Sequence, residues 1–323
     1  MRIKAVIKHR FTCGQLDHKW DWKGAEKMIQ TVGCMENLRF RLKDRRAWRQ
    51  TEQYKGIRRA NLCFLSCILF EVAGIFTMPF FGTVGAQMAI YFMTFLFALF
   101  LAGKHKKELV IPIKKPKAKM ILFTAGLTVC GIPVAMLLNA LAGLFSTSGA
   151  DTVENVAKYP LWLALIAFAI VPAIVEEYVF RGVVLGECLK VETRAAVLIS
   201  SIFFALLHFS LGSVLYGFFF GCVFALVRIA TGNLAYTVVM HLIFNAINVL
   251  LSYASFEHIP QWVIITFIIL GGVGFILLGF TFFSKNRVKI SENGGLRLHR
   301  LVTKEGYVTM MVCVAVMGML LIV

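Results

Sequence analysis

Long apolar runs constrain the fold of this chain more than any other feature of its sequence. A helix that crosses a bilayer needs about 20 largely apolar residues. Nine runs approach or exceed that length: 60–81, 84–103, 120–145, 160–186, 195–210, 212–230, 234–253, 260–283 and 307–323. Only 16% of the residues are charged, whereas a soluble domain has about a quarter. We therefore predict an all-α, polytopic transmembrane helical bundle with about eight or nine spans.

The formal net charge of +17 is concentrated in three segments. Residues 1–59 hold 16 Lys and Arg against 6 Asp and Glu, residues 104–119 hold 7 against 1, and residues 284–306 hold 6 against 2. Short loops rich in Lys and Arg stay on the cytoplasmic side of a membrane. Even numbers of predicted spans separate the three segments, so we predict that all of them are cytoplasmic. This charge sets topology, and we expect no binding to nucleic acid.

The charge pattern divides the chain into four parts. We predict a basic cytoplasmic N-terminal segment (1–59), a transmembrane bundle (60–283), a basic cytoplasmic loop (284–306) and a short final span (307–323). The expected location is a bacterial cell membrane, with the N-terminus in the cytoplasm.

Charged and strongly polar side chains inside apolar runs are costly to insert, so they are candidates for function. Glu177 and Arg181 lie one helical turn apart, with the acid first, which predicts an ion pair. Glu176 points to another face of the same helix and is left as a candidate base. Pro172 cannot donate a backbone hydrogen bond, which predicts a kink one turn before the two glutamates. Other such residues are Glu71, His208, Arg228, His241, Asn245 and Asn248.

Two further pairs place polar groups on helical faces in later runs. His208 follows Phe204 by four residues, and Asn245 follows His241 by four. A carboxylate can take a proton from water, a histidine can hold that proton, and an amide with an imidazole can donate to an oxyanion. These groups predict amide hydrolysis within the membrane. Two His and one Glu also suit an open zinc site, so the residues leave metal-free and zinc chemistry open.

Three motifs occur in order on successive apolar segments and resemble those of the CPBP family. They are Glu176-Glu177-x-x-x-Arg181, Phe204-x-x-x-His208 and His241-x-x-x-Asn245. This family includes the type II CAAX prenyl endopeptidases and the bacteriocin-processing or Abi proteins, and the resemblance covers about 160–250.

The resemblance implies an intramembrane endopeptidase with catalytic Glu176, His208, His241 and Asn245. Glu176 and His208 would activate water, and His241 and Asn245 would stabilise the oxyanion. Glu177, Arg181 and Phe204 would be supporting residues. Family members have been described as metalloproteases and as metal-independent glutamate proteases. We favour the second description and expect no cofactor, with zinc on Glu176, His208 and His241 as the alternative.

The expected partners are membrane lipids and a peptide or protein substrate. The substrate is either a prenylated C-terminal tail or a leader or signalling peptide, and we expect it to enter from the cytoplasmic side. The alternatives are a non-proteolytic membrane scaffold or bacteriocin-immunity protein and, less favoured, a proton- or metal-coupled transporter.

The predicted spans do not by themselves bring the site together. Glu176 lies towards the cytoplasmic end of the fourth span, His208 near the far end of the fifth, and His241 about two turns into the seventh. We therefore expect either a fourth helix broken after Pro172 or a shallow hairpin formed by the fifth and sixth runs.

Overall fold

The computed structural model describes residues 47–103, 115–144, 156–254, 260–286, 288 and 298–320. The chain divides into two compact units, Met1–Thr51 and Glu52–Val323. Most of the first unit and of the three basic segments lies outside the described residues, so the predictions made for those segments stay predictions.

The second unit is built from helices, and the described residues contain no strand. This confirms the prediction of an all-α bundle. The helices are α1 (Glu52–Ala102), α2 (Ala118–Gly143), α3 (Leu161–Leu189), α4 (Thr193–Leu206), α5 (Leu211–Thr231), α6 (Leu234–Ser252), α7 (Gln261–Lys285), α8 (Leu298–Leu301) and α9 (Lys304–Leu320). Within the described ranges, six helices (α1, α2, α3, α5, α6 and α7) are long and apolar enough to cross a membrane.

Helix α1 consists of two arms that fold back on each other at Gly82. This residue has φ 67° and ψ 172°, a conformation that glycine adopts far more readily than other residues. The rings of Phe70 and Phe97 lie 6.1 Å apart across the fold, whereas a straight helix would separate them by about 40 Å. The arms therefore correspond to the first two predicted spans.

Helix α3 carries the two adjacent glutamates between two π-helical segments. Residues Val171–Glu177 are α-helical, and they lie between Ile166–Ile170 and Tyr178–Val184, which are π-helical. Such segments often occur at functional sites. The helix continues through Pro172, and the irregularity predicted there takes the form of the π-helical turn just before it.

Helix α4 is shorter than the predicted fifth span. The side chain of Glu192 caps its start by accepting hydrogen bonds from the backbone N–H groups of Arg194 and Ala195. Its 14 residues rise about 21 Å, less than the hydrocarbon thickness of about 30 Å. The helix in the predicted span 195–210 is therefore too short to count among the six long apolar helices. The chain turns back into α5 directly after α4, so the fifth run forms the short arm of a hairpin.

One end of the bundle, here called the basic end, gathers the starts of α1, α2, α4 and α6 and the ends of α3, α5 and α7. Arg59 at the start of α1 pairs with Glu187 near the end of α3 at 2.6 Å. The backbone N–H of Lys117, just before α2, donates to the hydroxyl of Tyr236 at the start of α6 at 2.9 Å. Only Gly232 and Asn233 separate α5 from α6.

The opposite end, here called the far end, contains Gly82, the start of α3 and the end of α6. The hydroxyl of Tyr253 donates to the backbone oxygens of Tyr159 at 2.5 Å and Val156 at 3.1 Å. These bonds join the segment before α3 to the end of α6, so the two helices run antiparallel.

Asn61 joins α1 to the turn between α8 and α9. Its amide nitrogen donates to the backbone oxygens of Ile57 at 2.8 Å and Leu301 at 2.9 Å. Its amide oxygen accepts from the backbone N–H of Thr303 at 3.2 Å. Because the side chain is fully buried, its removal would leave buried backbone groups without partners.

We expect Asn61→Ala to lower the free energy of unfolding by about 1–3 kcal/mol, the cost of unsatisfied buried polar groups. Chemical unfolding in mixed micelles would measure it. Ser284→Ala is the control, because the Ser284 hydroxyl makes an exposed hydrogen bond within α7. Equal stability of both variants would contradict the role of Asn61.

Candidate active site

A cavity of about 530 Å³ lies between the second arm of α1 and helices α2, α3, α5 and α6. All four residues predicted to be catalytic line it: Glu176, His208, His241 and Asn245. The side chain of Phe204 also lines the cavity. The structure thus brings these residues to one space, while their chemical roles remain predictions.

The two carboxylate oxygens of Glu176 have different surroundings. The hydroxyl of Tyr91 donates to Oε1 at 2.6 Å. Oε2 has no hydrogen-bond partner among the residues that the structure describes, and it lies 3.9 Å from Nε2 of His241. One oxygen is therefore fixed by the protein, and the other retains its capacity to accept a proton.

Glu177 makes the ion pair predicted for it and also positions a histidine. Its Oε1 lies 2.8 Å from Arg181, which confirms the predicted pair. The same oxygen lies 3.1 Å from Nδ1 of His241. A carboxylate beside an arginine accepts hydrogen bonds, so Nδ1 of His241 carries a proton and Nε2 is directed towards Glu176.

The ring of Phe204 lies between the supporting residues and both histidines. The guanidinium of Arg181 is 4.2 Å from the ring centroid, a cation–π contact. The rings of His208 and His241 meet it edge to face, at 5.4 Å and 5.6 Å between centroids. Phe204 therefore helps to set the separation of the two histidines.

His208 lies in the turn between α4 and α5, outside the helix that was predicted to hold it. Its Nδ1 is 3.2 Å from the backbone oxygen of Phe204. Since a carbonyl oxygen only accepts, Nδ1 donates and Nε2 is left to accept. The next residue, Phe209, has φ 50°, which is rare for a bulky side chain. This turn keeps His208 exposed at the cavity wall.

His241 is the histidine that lies within 4 Å of a Glu176 carboxylate oxygen. No ion pair or hydrogen bond joins Glu176 to His208, two residues that the structure describes fully. Asn245 lies one turn after His241 on the same face of α6 and is half-buried. The predicted cooperation of Glu176 with His208 would therefore have to act across the cavity.

Sequence reasoning missed Gln87 and Tyr91 on the second arm of α1, both of which line the cavity. They are spaced four residues apart in an apolar run, the pattern that identified the other polar pairs. That spacing could have identified them, because Gln and Tyr also carry polar groups that are costly to place within a span, as Asn and His do.

The zinc alternative would require Glu176, His208 and His241 to converge on one ion. Among the described residues, no three His, Cys, Asp or Glu side chains form a group able to hold a metal ion. Glu176, His208 and His241 are among these described residues. The contact of His241 Nδ1 with Glu177 leaves Nε2 able to bind an ion, so metal dependence stays a prediction.

Comparison with protein families bears directly on this part of the chain. Residues 158–247 match the family described as type II CAAX prenyl endopeptidase Rce1-like. This match over residues 158–247 supports membership of the CPBP family. The CPBP segment extends from just before α3 into α6 and contains every motif residue described above. No curated protein and no solved structure matches the chain significantly.

The CPBP match supports an intramembrane CAAX-type endopeptidase at the level of the family. Helices α1 and α2 lie outside the matched segment, yet they supply part of the cavity wall. Tyr91 is the clearest contribution from outside it, since its hydroxyl binds Glu176 directly.

Proposed function

We propose that this CPBP protein is an intramembrane endopeptidase that hydrolyses a peptide bond with water activated by Glu176. The observation that carries the proposal is the asymmetry of the Glu176 carboxylate. Tyr91 holds Oε1, whereas Oε2 is buried without a hydrogen-bond partner among the described residues, and the Glu176 residue lines the cavity.

In the proposed reaction, Oε2 of Glu176 removes a proton from water as the water oxygen bonds to the peptide carbonyl carbon. The carbonyl electron pair moves to oxygen and forms an oxyanion. When His241 is protonated, Nδ1 donates to Glu177 and Nε2 donates into the cavity, where the Asn245 amide adds a second donor. The proton then passes from Glu176 to the leaving nitrogen, the oxyanion electron pair re-forms the C=O bond as the C–N bond breaks, and an amine and a carboxylic acid leave, the acid losing its proton to solvent.

His208 has a separate proposed role at the opposite side of the reacting bond. Its Nδ1 is engaged by the Phe204 backbone oxygen, so Nε2 is the nitrogen that can take up or return a proton. In the proposal, His208 shares with Glu176 the transfer of the proton to the leaving group. The step uses residues of the protein and no metal.

The cavity wall is suited to an extended peptide with apolar side chains. Its lining contains the rings of Phe168, Phe220 and Phe244 together with the amides of Asn139 and Asn248, and Glu176 is its single Asp, Glu, Lys or Arg among the described residues. Apolar side chains can pack on the rings while backbone groups bond to the amides. Both a prenylated tail and a leader peptide are compatible with this cavity wall.

Tyr91 is a positioning residue in this mechanism. We expect Tyr91→Phe to lower kcat by about 10- to 100-fold, because a hydrogen bond to a charged group contributes about 1.5–3 kcal/mol. The KM should change less than the kcat, since the hydroxyl holds the base and not the substrate. Steady-state kinetics in proteoliposomes would measure both constants.

Tyr216→Phe is the matched control for Tyr91→Phe. Tyr216 also lines the cavity, but its hydroxyl donates to Ser213 at 3.0 Å and not to Glu176. We expect its kcat to stay near the wild-type value. Wild-type kcat in Tyr91→Phe would remove Tyr91 from the mechanism.

A peptide library tests the proposed activity itself. The purified protein in proteoliposomes would be incubated with apolar peptides of varied sequence, and products would be identified by mass spectrometry. We expect new termini with wild-type protein and none with Glu176→Gln. Intact peptides in both samples would favour a non-proteolytic scaffold or immunity protein.

Metal analysis of the purified wild type and His208→Ala would test the zinc alternative.

A further inference from the structure

The cavity lies in the half of the bundle that is remote from the basic end. Helix α6 starts at the basic end, and it lines the cavity only from His241 to Ser252, where the helix ends. Helix α2 also starts at the basic end, and it lines the cavity from Ile132 to Asn139, in its second half. Both helices thus leave their first turns outside the cavity.

Helices that start at the far end show the opposite pattern. The second arm of α1 starts at Gly82 and lines the cavity at Gln87 and Tyr91, within its first three turns. In α3, the residues before Glu176, such as Phe168, line the cavity, whereas Arg181 after it is buried. These four elements therefore place the cavity between the level of Glu176 and the far end.

The wall continues to the end of the bundle. Val156 and Ser252 both line the cavity, and Tyr253 bonds to the Val156 backbone oxygen beside them. Along α6, the wall from His241 to Ser252 rises about 16 Å, the length of about five extended residues. A peptide segment can therefore extend from the Glu176 level to the far end.

Positive charge marks the other end. The Lys and Arg residues described in the second unit lie at the basic end, with Lys158 and the buried Arg181 as the exceptions. They include Lys55, Arg58, Arg59, Lys115, Lys117, Lys119, Lys190, Arg194, Arg228, Lys285, Arg300 and Lys304. Lys and Arg next to membrane spans favour the cytoplasmic side. The far end should then lie on the opposite side.

We infer that the cavity opens on the non-cytoplasmic side of the membrane and takes a peptide segment presented there. This inference differs from the expectation of access from the cytoplasm, which no observation tests directly. That expectation placed Glu176 near the cytoplasmic end of a span over 160–186, but α3 extends to Leu189 and Glu176 lies at its middle. The residues before Glu176, towards the far end, are the ones that face the cavity.

The substrate class follows from this orientation and rests on the proposed function. A C-terminal tail of a cytoplasmic protein would have to cross the bundle to reach Glu176 from the far end. A leader or signalling peptide that is inserted into the membrane or translocated across it presents its peptide bond on the correct side. The mostly apolar wall suits the uncharged part of such a peptide.

Cysteine labelling tests the orientation without requiring any activity. Ser252→Cys and Asn248→Cys place thiols at the cavity rim and wall, and Lys304→Cys places one at the exposed basic end. Each full-length variant would be expressed in bacterial spheroplasts and treated with a membrane-impermeant maleimide. Mass spectrometry of the digested protein would report labelling at the introduced position, separately from the native cysteines.

We expect both cavity variants to be labelled in intact spheroplasts and Lys304→Cys only after permeabilisation, a difference of at least about tenfold in labelled fraction. Labelling of the cavity variants only after permeabilisation would overturn the inference. Failure of both to react in either condition would also overturn it, because an open cavity admits the reagent. If the labelling is as expected but no peptide is cleaved, the orientation stands and the proposed function fails.

Discussion

Glu176→Gln is expected to lower kcat for peptide hydrolysis by about 10³-fold, within the range for loss of a general base. Glutamine keeps the size of the side chain and a carbonyl oxygen that can accept the hydrogen bond from Tyr91. It cannot take a proton from water at the position of Oε2. The loss should therefore appear in catalysis and not in folding.

The measurement is single-turnover hydrolysis in proteoliposomes with a peptide that the wild type cleaves. Thermal unfolding of the same samples should show that Glu176→Gln is folded. Glu305→Gln provides a control glutamate in α9 at the basic end, where it pairs with Arg58, and should retain the wild-type rate within about twofold, because surface pairs contribute little. Hydrolysis by Glu176→Gln at the wild-type rate would contradict its assignment as the base.

Arg181→Met is expected to produce the largest loss of stability. The side chains of Arg181 and Glu177 are 1% and 0% exposed. Removal of one partner leaves a buried charge without compensation, which costs about 3–5 kcal/mol. The variant also loses the cation above the Phe204 ring. Chemical unfolding in mixed micelles would measure the change in the free energy of unfolding.

The double variant Glu177→Gln/Arg181→Met separates loss of the charge pair from loss of packing. Neutral partners of similar volume should restore most of the stability, because replacing a whole buried pair is often tolerated. Arg58→Met is the exposed control, because Arg58 pairs with Glu305 at 3.3 Å with 56% of its side chain exposed. Its effect should stay within about 1 kcal/mol. Equal losses in Arg58→Met and Arg181→Met would contradict the importance of the buried pair.

Local spacing predicted the parts of the site that lie within one helix. Glu177 and Arg181 pair as the rule for residues four apart requires. That rule could not show that Glu177 also holds His241, since this contact joins α3 to α6. The hydrogen bond from Tyr91 to Glu176 likewise depends on how the fold at Gly82 returns the second arm of α1 towards α3.

Hydropathy predicted the helical bundle but not the length of α4. The apolar run over 195–210 continues past Leu206, while the helix ends there and the backbone turns at Phe209 with φ 50°. A hydropathy average does not register such a turn. The position of the cavity along the helices was also beyond sequence reasoning, because it depends on which half of each helix lines the shared space.

Isotope incorporation gives the most direct measurement of the proposed chemistry. A cleavable apolar peptide would be hydrolysed in H₂¹⁸O by wild-type protein and by Glu176→Gln, and the products would be weighed by mass spectrometry. We expect the wild type to place ¹⁸O in the new C-terminal carboxylate and Glu176→Gln to yield almost no product. Products without ¹⁸O, or equal labelled product from both proteins, would contradict hydrolysis by water activated at Glu176.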